Sequence, residues 1–97
     1  MYVIHQQVKA QLDLKQIWLY SLREFGEAQA DNYYDQLIDG INTIRDNPEI
    51  GFPCDYIRIG YRQYKVKQHF IFYRIGKGKI HIVRVLHESM QVVNYLK

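Results

Sequence analysis

His69-Phe70-Ile71-Phe72-Tyr73-Arg74-Ile75-Gly76-Lys77-Gly78-Lys79-Ile80-His81-Ile82-Val83-Arg84-Val85-Leu86 reads as two strands joined by a tight turn. β-Branched and aromatic residues fill both runs, and Gly76 and Gly78 supply a turn that can adopt positive φ. So short a connection makes the two strands antiparallel neighbours. Both are apolar on two faces: Phe70 and Phe72 point one way, Ile71, Tyr73 and Ile75 the other. In the second run, strict alternation sets Ile80, Ile82 and Leu86 against Val83 and Val85. Strands of this kind lie inside a sheet with both faces at least partly covered.

Upstream, Ile57 to Val66 also reads as a strand, with Gly60 as a bulge or bend. Residues 48–55 contain Pro48, Gly51 and Pro53 and read as a loop. Before them the apolar period changes from two to 3.6. Leu14, Ile17, Trp18, Ser21, Leu22 and Phe25 form one helical stripe, which Gly26 ends. Ala30, Tyr33, Tyr34, Leu37, Ile41 and Ile44 form a second, stopped at Asn47-Pro48. Gly40 sits inside that stripe at a cost of about 1 kcal/mol relative to alanine, yet the period continues through it. Tyr2-Val3-Ile4 reads as a short first strand, and Glu88 to Lys97 as a tail with at most a helical turn. The order is β-α-α-β-β-β. The fold class is α+β, with an antiparallel helix hairpin packed on one face of a small, mainly antiparallel sheet. A hairpin covers only one face. The other is either covered by the tail or left open for a partner.

The chain has 97 residues, the size of one domain, read here as 1–97. Its formal charge of +3 is unevenly placed. Residues 1–47 carry four basic and seven acidic side chains, a net −3, whereas residues 48–97 carry nine against three, a net +6. The basic half alternates Arg, Lys and His with strand formers, which suits an acidic partner; the alternative is a solvated charged face with no ligand. Cys54 is the single cysteine, so no internal disulfide can form. The polar, short Met1–Val8 stretch lacks a secretory apolar core, and no run approaches the roughly 18 apolar residues of a membrane span. These features read as a cytoplasmic protein without membrane contact. Four His and one Cys without close spacing argue against a metal site, and no glycine-rich loop resembles a phosphate cradle, so no cofactor is expected.

The chain resembles the ParE branch of the RelE/ParE toxin superfamily along almost its whole length. The resemblance is carried by Ala10-x-x-Asp13-Leu14-x-x-Ile17, Phe25-Gly26-x-x-x-Ala30-x-x-Tyr33 and Asn47-Pro48-x-x-Gly51. It continues through Ile57-Arg58-x-Gly60-Tyr61-Arg62, His69-x-Ile71-Phe72-Tyr73-Arg74 and Ile82-Val83-Arg84-Val85-Leu86-His87-x-x-Met90. It implies the βααβββ fold reached above from periodicity. It also implies the toxin of a type II toxin–antitoxin pair, one that poisons DNA gyrase by binding and is neutralised by a cognate antitoxin in a hetero-oligomer. The RelE-type relatives instead cut mRNA in the ribosome, so fold alone does not separate the two activities.

RNA cleavage by 2′-OH attack needs a proton acceptor, a proton donor and cations around the phosphorane. The RelE-type enzymes place Lys, Arg and a Tyr or His on the sheet and tail for this. Here the tail from Glu88 to Tyr95 contains no Arg or Lys, and its only base is Lys97. If the chain were a nuclease, His87 and Tyr95 would be acid and base, with Arg84 among the phosphate ligands. Otherwise no residue is catalytic and the protein is not an enzyme. Arg58, Arg62, Arg74, Arg84 and His87 are then the partner-binding candidates, facing a small acidic antitoxin or gyrase, with no sequence-specific nucleic-acid binding expected. Against these roles stand plainer ones: solvated strand-edge charge for Arg58, Arg62 and Arg74, and a tail-fixing hydrogen bond for His87. Arg84 lies amid apolar neighbours and needs an acidic partner if buried, either an Asp or Glu from elsewhere or the C-terminal carboxylate. His69 reads as a turn or edge residue and Cys54 as inert.

Overall fold

The computed structural model describes residues 1–96. β1 (Val3–Gln6) leads into α1 (Val8–Phe25) and α2 (Glu27–Asp46); β2 (Phe52–Pro53), β3 (Tyr61–Val66), β4 (His69–Ile75), β5 (Lys79–His87) and a short α3 (Val93–Leu96) follow. The strands lie in the order β1-β5-β4-β3-β2. β1 runs parallel to β5, and the other three neighbouring pairs are antiparallel. The expected helix hairpin on a mainly antiparallel sheet is therefore what forms.

The hairpin turns at Gly26, whose φ of +89° side-chain-bearing residues rarely adopt. Its N–H caps α1 by donating to the Leu22 carbonyl at 3.0 Å. α1 buries Ala10, Leu14 and Ser21, and α2 buries Ala30, Leu37, Gly40, Ile41 and Ile44. Phe25, assigned to the first stripe, is 66% exposed because α1 ends there at the rim of a groove. Gly40 is needed for close approach: a Cβ there would stand 2.6 Å from Val66 Cγ2 and 3.2 Å from Ile71 Cδ1. Its absence lets α2 settle onto β3 and β4.

Three strand features depart from expectation. Ile57 to Gly60 is a compact turn, with strand geometry starting only at Tyr61. The Ile57 and Arg58 N–H groups both donate to the Cys54 carbonyl, and Gly60 N–H donates to Asp55 Oδ1 at 2.7 Å. Satisfied locally, these groups have no need of a ladder. The two-residue β2 is an edge strand whose Pro53 is tolerated there for want of an outer neighbour. In β5 a bulge breaks the alternation: Phe72 pairs with Arg84 and Tyr73 with Ile82, leaving Val83 as the extra residue. After it, Val85 joins Ile80 and Ile82, and Leu86 joins Val83 on the opposite face, the reverse of strict alternation.

The core accordingly has two parts. Under the helices Leu14, Leu37, Ile41 and Ile44 pack on Ile71, Tyr73, Ile80, Ile82 and Val85. On the other face Phe72, Val83 and Leu86 pack with Cys54, Tyr61 and Leu96, flanked by Ile57, Met90 and Val92. So the tail, together with the turn after β2, covers the middle of the second face.

Candidate functional site

Arg84 emerges from the bulge where β1 no longer borders β5, since that pairing ends at Ile82. α1 fills the vacancy with Asp13. The carboxylate accepts Arg84 Nε at 2.7 Å, Arg84 Nη2 at 2.8 Å and Val85 N–H at 2.9 Å. Both side chains are about one-seventh exposed, at 15% for Arg84 and 14% for Asp13. The Arg84 partner anticipated from burial is thus Asp13, and the hydrogen bond to Asp13 raises the guanidinium pKa. The alternative partner, the carboxylate of Lys97, lies outside the described residues, as does the Lys97 side chain.

Arg84 also lies over the Tyr95 ring, with Cζ 5.5 Å from its centroid, and its Nη1 reaches the Tyr95 carbonyl at 3.5 Å. Arg58 stacks on Tyr61 at 5.6 Å. Arg58, Arg84, Tyr61, Tyr95, Leu96 and Lys9 line one notch of about 340 Å³. Of the five residues proposed to meet a partner, the structure brings Arg58 and Arg84 together here and disperses the others.

Arg62 is used internally. Its Nη1 donates to the carbonyls of Gly51 at 2.7 Å and Glu49 at 3.3 Å, clamping the segment before β2. Arg74 stands farther along the second face, in register with Tyr61 on one side and His81 on the other. His81 Nδ1 lies 3.0 Å from His5 Nδ1, a spacing that admits one proton between them. Burial, then Arg74, His5 and Lys79, hold the His81 pKa below its usual value.

His87 follows Leu86 and so projects from the helix-covered face, away from Arg84. Its Nδ1 accepts Ser89 N–H at 3.1 Å and lies 2.7 Å from Ser89 Oγ. The first of these bonds marks that nitrogen as unprotonated and ties down the start of the tail, which is the plainer role weighed for it. Tyr95, its would-be catalytic companion, lines the notch instead. Beside His87, His69 meets Tyr33 Oη at 2.7 Å through Nδ1, with the two imidazoles edge to face at 5.2 Å. Burial and the neighbouring His87 push the His69 pKa down to about 4, so it is neutral at pH 7. These groups sit at one end of a groove of about 570 Å³ whose walls include Ile17, Tyr20 and Phe25. Cys54 is fully buried, and burial raises its thiol pKa, which suits an inert packing residue. Among the described residues no three His, Cys, Asp or Glu side chains gather as metal ligands, and no helix is long and apolar enough to cross a membrane.

Lys9 and Asp13 have no role assigned from sequence. The only signal is their spacing of four along one side of α1 and the presence of Asp13 in the motif Ala10-x-x-Asp13-Leu14. Tyr61 is likewise part of a motif and nothing more.

Residues 4–92 match the family model described as the ParE toxin of type II toxin–antitoxin system, parDE. The chain is 43% identical over 84 residues to Toxin ParE1 of Mycobacterium tuberculosis, covering 86% of each protein. It is 39% identical over 88 residues to Toxin ParE1 of Caulobacter vibrioides, covering 91% of each. A chain of the chromosomal ParDE TA system from P. aeruginosa superposes with a TM-score of 0.80 over 90% of this chain and 96% of that one, at 19% identity, a likeness of fold. The sheet with its helix hairpin, the Asp13–Arg84 clamp built from two of the quoted motifs, and this match over most of its length place the chain in the ParE toxin family of type II toxin–antitoxin systems.

Proposed function

We propose that the protein poisons DNA gyrase by binding, in the cytoplasm and without catalysis of its own, and that a small acidic antitoxin neutralises it in a hetero-oligomer. The observation that carries the non-enzymatic part is the separation of His87 from Arg84 and Tyr95 by the sheet. His87 belongs to the helix-side groove, and Arg84 and Tyr95 to the notch on the second face. An acid and a base acting on one phosphodiester must both reach it from within about 3 Å. Asp13 also already neutralises Arg84, which weakens its use against a phosphorane. Gyrase as the target is supported by family membership, and the antitoxin by the +6 balance of residues 48–97.

Purified gyrase tests this. Added protein should lower supercoiling and build up cleaved DNA; unchanged supercoiling at large molar excess rejects gyrase as the target. The alternative, a RelE-like ribosome-dependent endoribonuclease, draws on the pairing of Arg58 and Arg84 with a tail tyrosine. It requires mRNA cut at the ribosomal A site during translation in vitro and a loss of cutting in His87→Ala; intact mRNA rejects it.

A further inference from the structure

We infer that the Lys9–Arg58–Arg84 notch is a carboxylate-binding subsite, shaped for an acidic side chain on a protein segment that also carries apolar residues. This rests on the binding mode proposed above and adds to it the chemistry of the contact.

Charge comes first. Lys9, Arg58 and Arg84 line the notch, and no described acidic residue lines it with them. Asp13 cancels one of the three charges from below, leaving an excess of positive charge facing out. The two arginines are also held in place. Arg84 is clamped by Asp13 and stacked on Tyr95, and Arg58 is stacked on Tyr61. The Arg58 backbone is fixed at both ends, its N–H on the Cys54 carbonyl at 3.2 Å and its carbonyl accepting Tyr61 N–H at 3.1 Å. Ordered cations lose less entropy on binding than free ones.

The walls and the size of the notch favour a single acidic side chain over nucleic-acid phosphate. Arg84 commits its Nε–H and one Nη2–H to Asp13, so its remaining N–H groups and those of Arg58 and Lys9 are left for an incoming anion. Val83 and Leu96 form part of the wall, and both are nearly buried, giving an apolar lining that suits the methylene stem of a glutamate. At about 340 Å³ the notch has room for one side chain and not for a nucleotide run. Beside it the 55–60 turn holds Tyr56 and Ile59 out at 78% and 88% exposure, on either side of Arg58. A segment with an acid in the notch would lay apolar neighbours on these two residues.

Amide chemical-shift titration of the whole chain with poly-L-glutamate, and separately with polyuridylate at equal charge concentration, tests this. Poly-L-glutamate should shift the amides of Lys9, Arg58, Val83 and Tyr95. Loss of two exposed charge contacts in Lys9→Gln/Arg58→Gln should weaken it about fivefold. Lys77→Gln/Lys79→Gln, an equal change of net charge at the β4–β5 turn, should weaken it less than about twofold. Equal losses in both variants would reduce the effect to net charge and overturn the subsite. So would tighter binding of polyuridylate at the same amides, or shifts confined to other parts of the molecule. Gyrase poisoning is scored on the same wild-type sample. Notch binding without poisoning rejects only the gyrase reading, and poisoning without notch binding rejects only the subsite.

Discussion

Replacing Asp13 by asparagine should be among the most damaging isosteric changes in this protein. The carboxylate serves three donors at 2.7, 2.8 and 2.9 Å, two from Arg84 and one from Val85 N–H. Asp13→Asn would keep one acceptor oxygen, turn an amide NH2 towards a guanidinium, and leave a positive charge only 15% exposed without its counter-ion. Removing one partner from a buried pair costs roughly 3–5 kcal/mol, and the residual exposure lowers the expectation to about 2–4 kcal/mol. For a domain of this size that is a fall in Tm of roughly 10–25 °C. Lys65–Glu88 provides the contrast. It is nearly as short, at 2.9 Å, but 50% and 39% exposed, so breaking it should change stability far less than breaking the clamp. Urea unfolding followed by circular dichroism measures both. A double-mutant cycle with Arg84→Met isolates the pair, with an expected coupling of at least about 1.5 kcal/mol. A loss below about 1 kcal/mol for Asp13→Asn, or a coupling within about 0.5 kcal/mol of zero, would refute the claim that this clamp holds α1 to β5.

Three further outcomes follow from geometry already described. His69 has a folded-state pKa of about 4 against an ordinary 6.5, so the unfolded chain takes up its proton first as pH falls. Its contribution is intact above about pH 6.5 and drains away down to about pH 4, by roughly 1–3 kcal/mol once partial solvation is allowed for; His69→Gln should flatten that part of a stability–pH curve. Tyr73→Phe removes a buried hydroxyl that accepts Gly51 N–H at 2.9 Å and donates to the Pro48 carbonyl at 2.7 Å, so unfolding free energy should drop by about 2 kcal/mol. Gly40→Ala sets a helix-propensity gain of about 1 kcal/mol against a 2.6 Å clash with the stiff, branched Val66. Overpacking costs roughly 1–3 kcal/mol, so thermal melting should show a net loss where an exposed helix position would gain.

Periodicity carries most of the architecture because helix and strand each leave a long, regular trace. The stripe from Ala30 to Ile44 behaves as read, and the two runs around Gly76–Lys79 pair as read, although the bulge at Val83 reverses the faces expected after it. What escapes depends on contacts that no local pattern records. The parallel β1–β5 pairing joins residues 76 positions apart, and the two-residue β2 is too short for any period to show. Ile57-Arg58-Ile59 alternates like a strand, but Asp55 and the Cys54 carbonyl satisfy its turn locally. The site is legible residue by residue and not as an arrangement. Arg84 amid apolar neighbours announces its need of an acid, yet sequence does not say which carboxylate arrives from across the fold. His87 and Tyr95, eight positions apart, look like companions in the sequence, and the turn at Ser89 and the sheet between them keep them apart.

The extra residue at Val83 gives β5 one position more than its ladder with β4 requires. Val83→Ala would trim two methyl groups from one wall of the second core. Deleting Val83 is a different event, and a milder one for its neighbours than a deletion in a regular strand. Ile82 and Arg84 already face Tyr73 and Phe72, so making them consecutive would straighten the ladder and leave Val85 in the helix-side core and Leu86 on the other face. The strand thus carries one residue of slack, and its loss would empty a place in the second core without moving any other side chain to the opposite layer. An insertion has no such outlet, because a second unpaired residue would change the phase of everything after it.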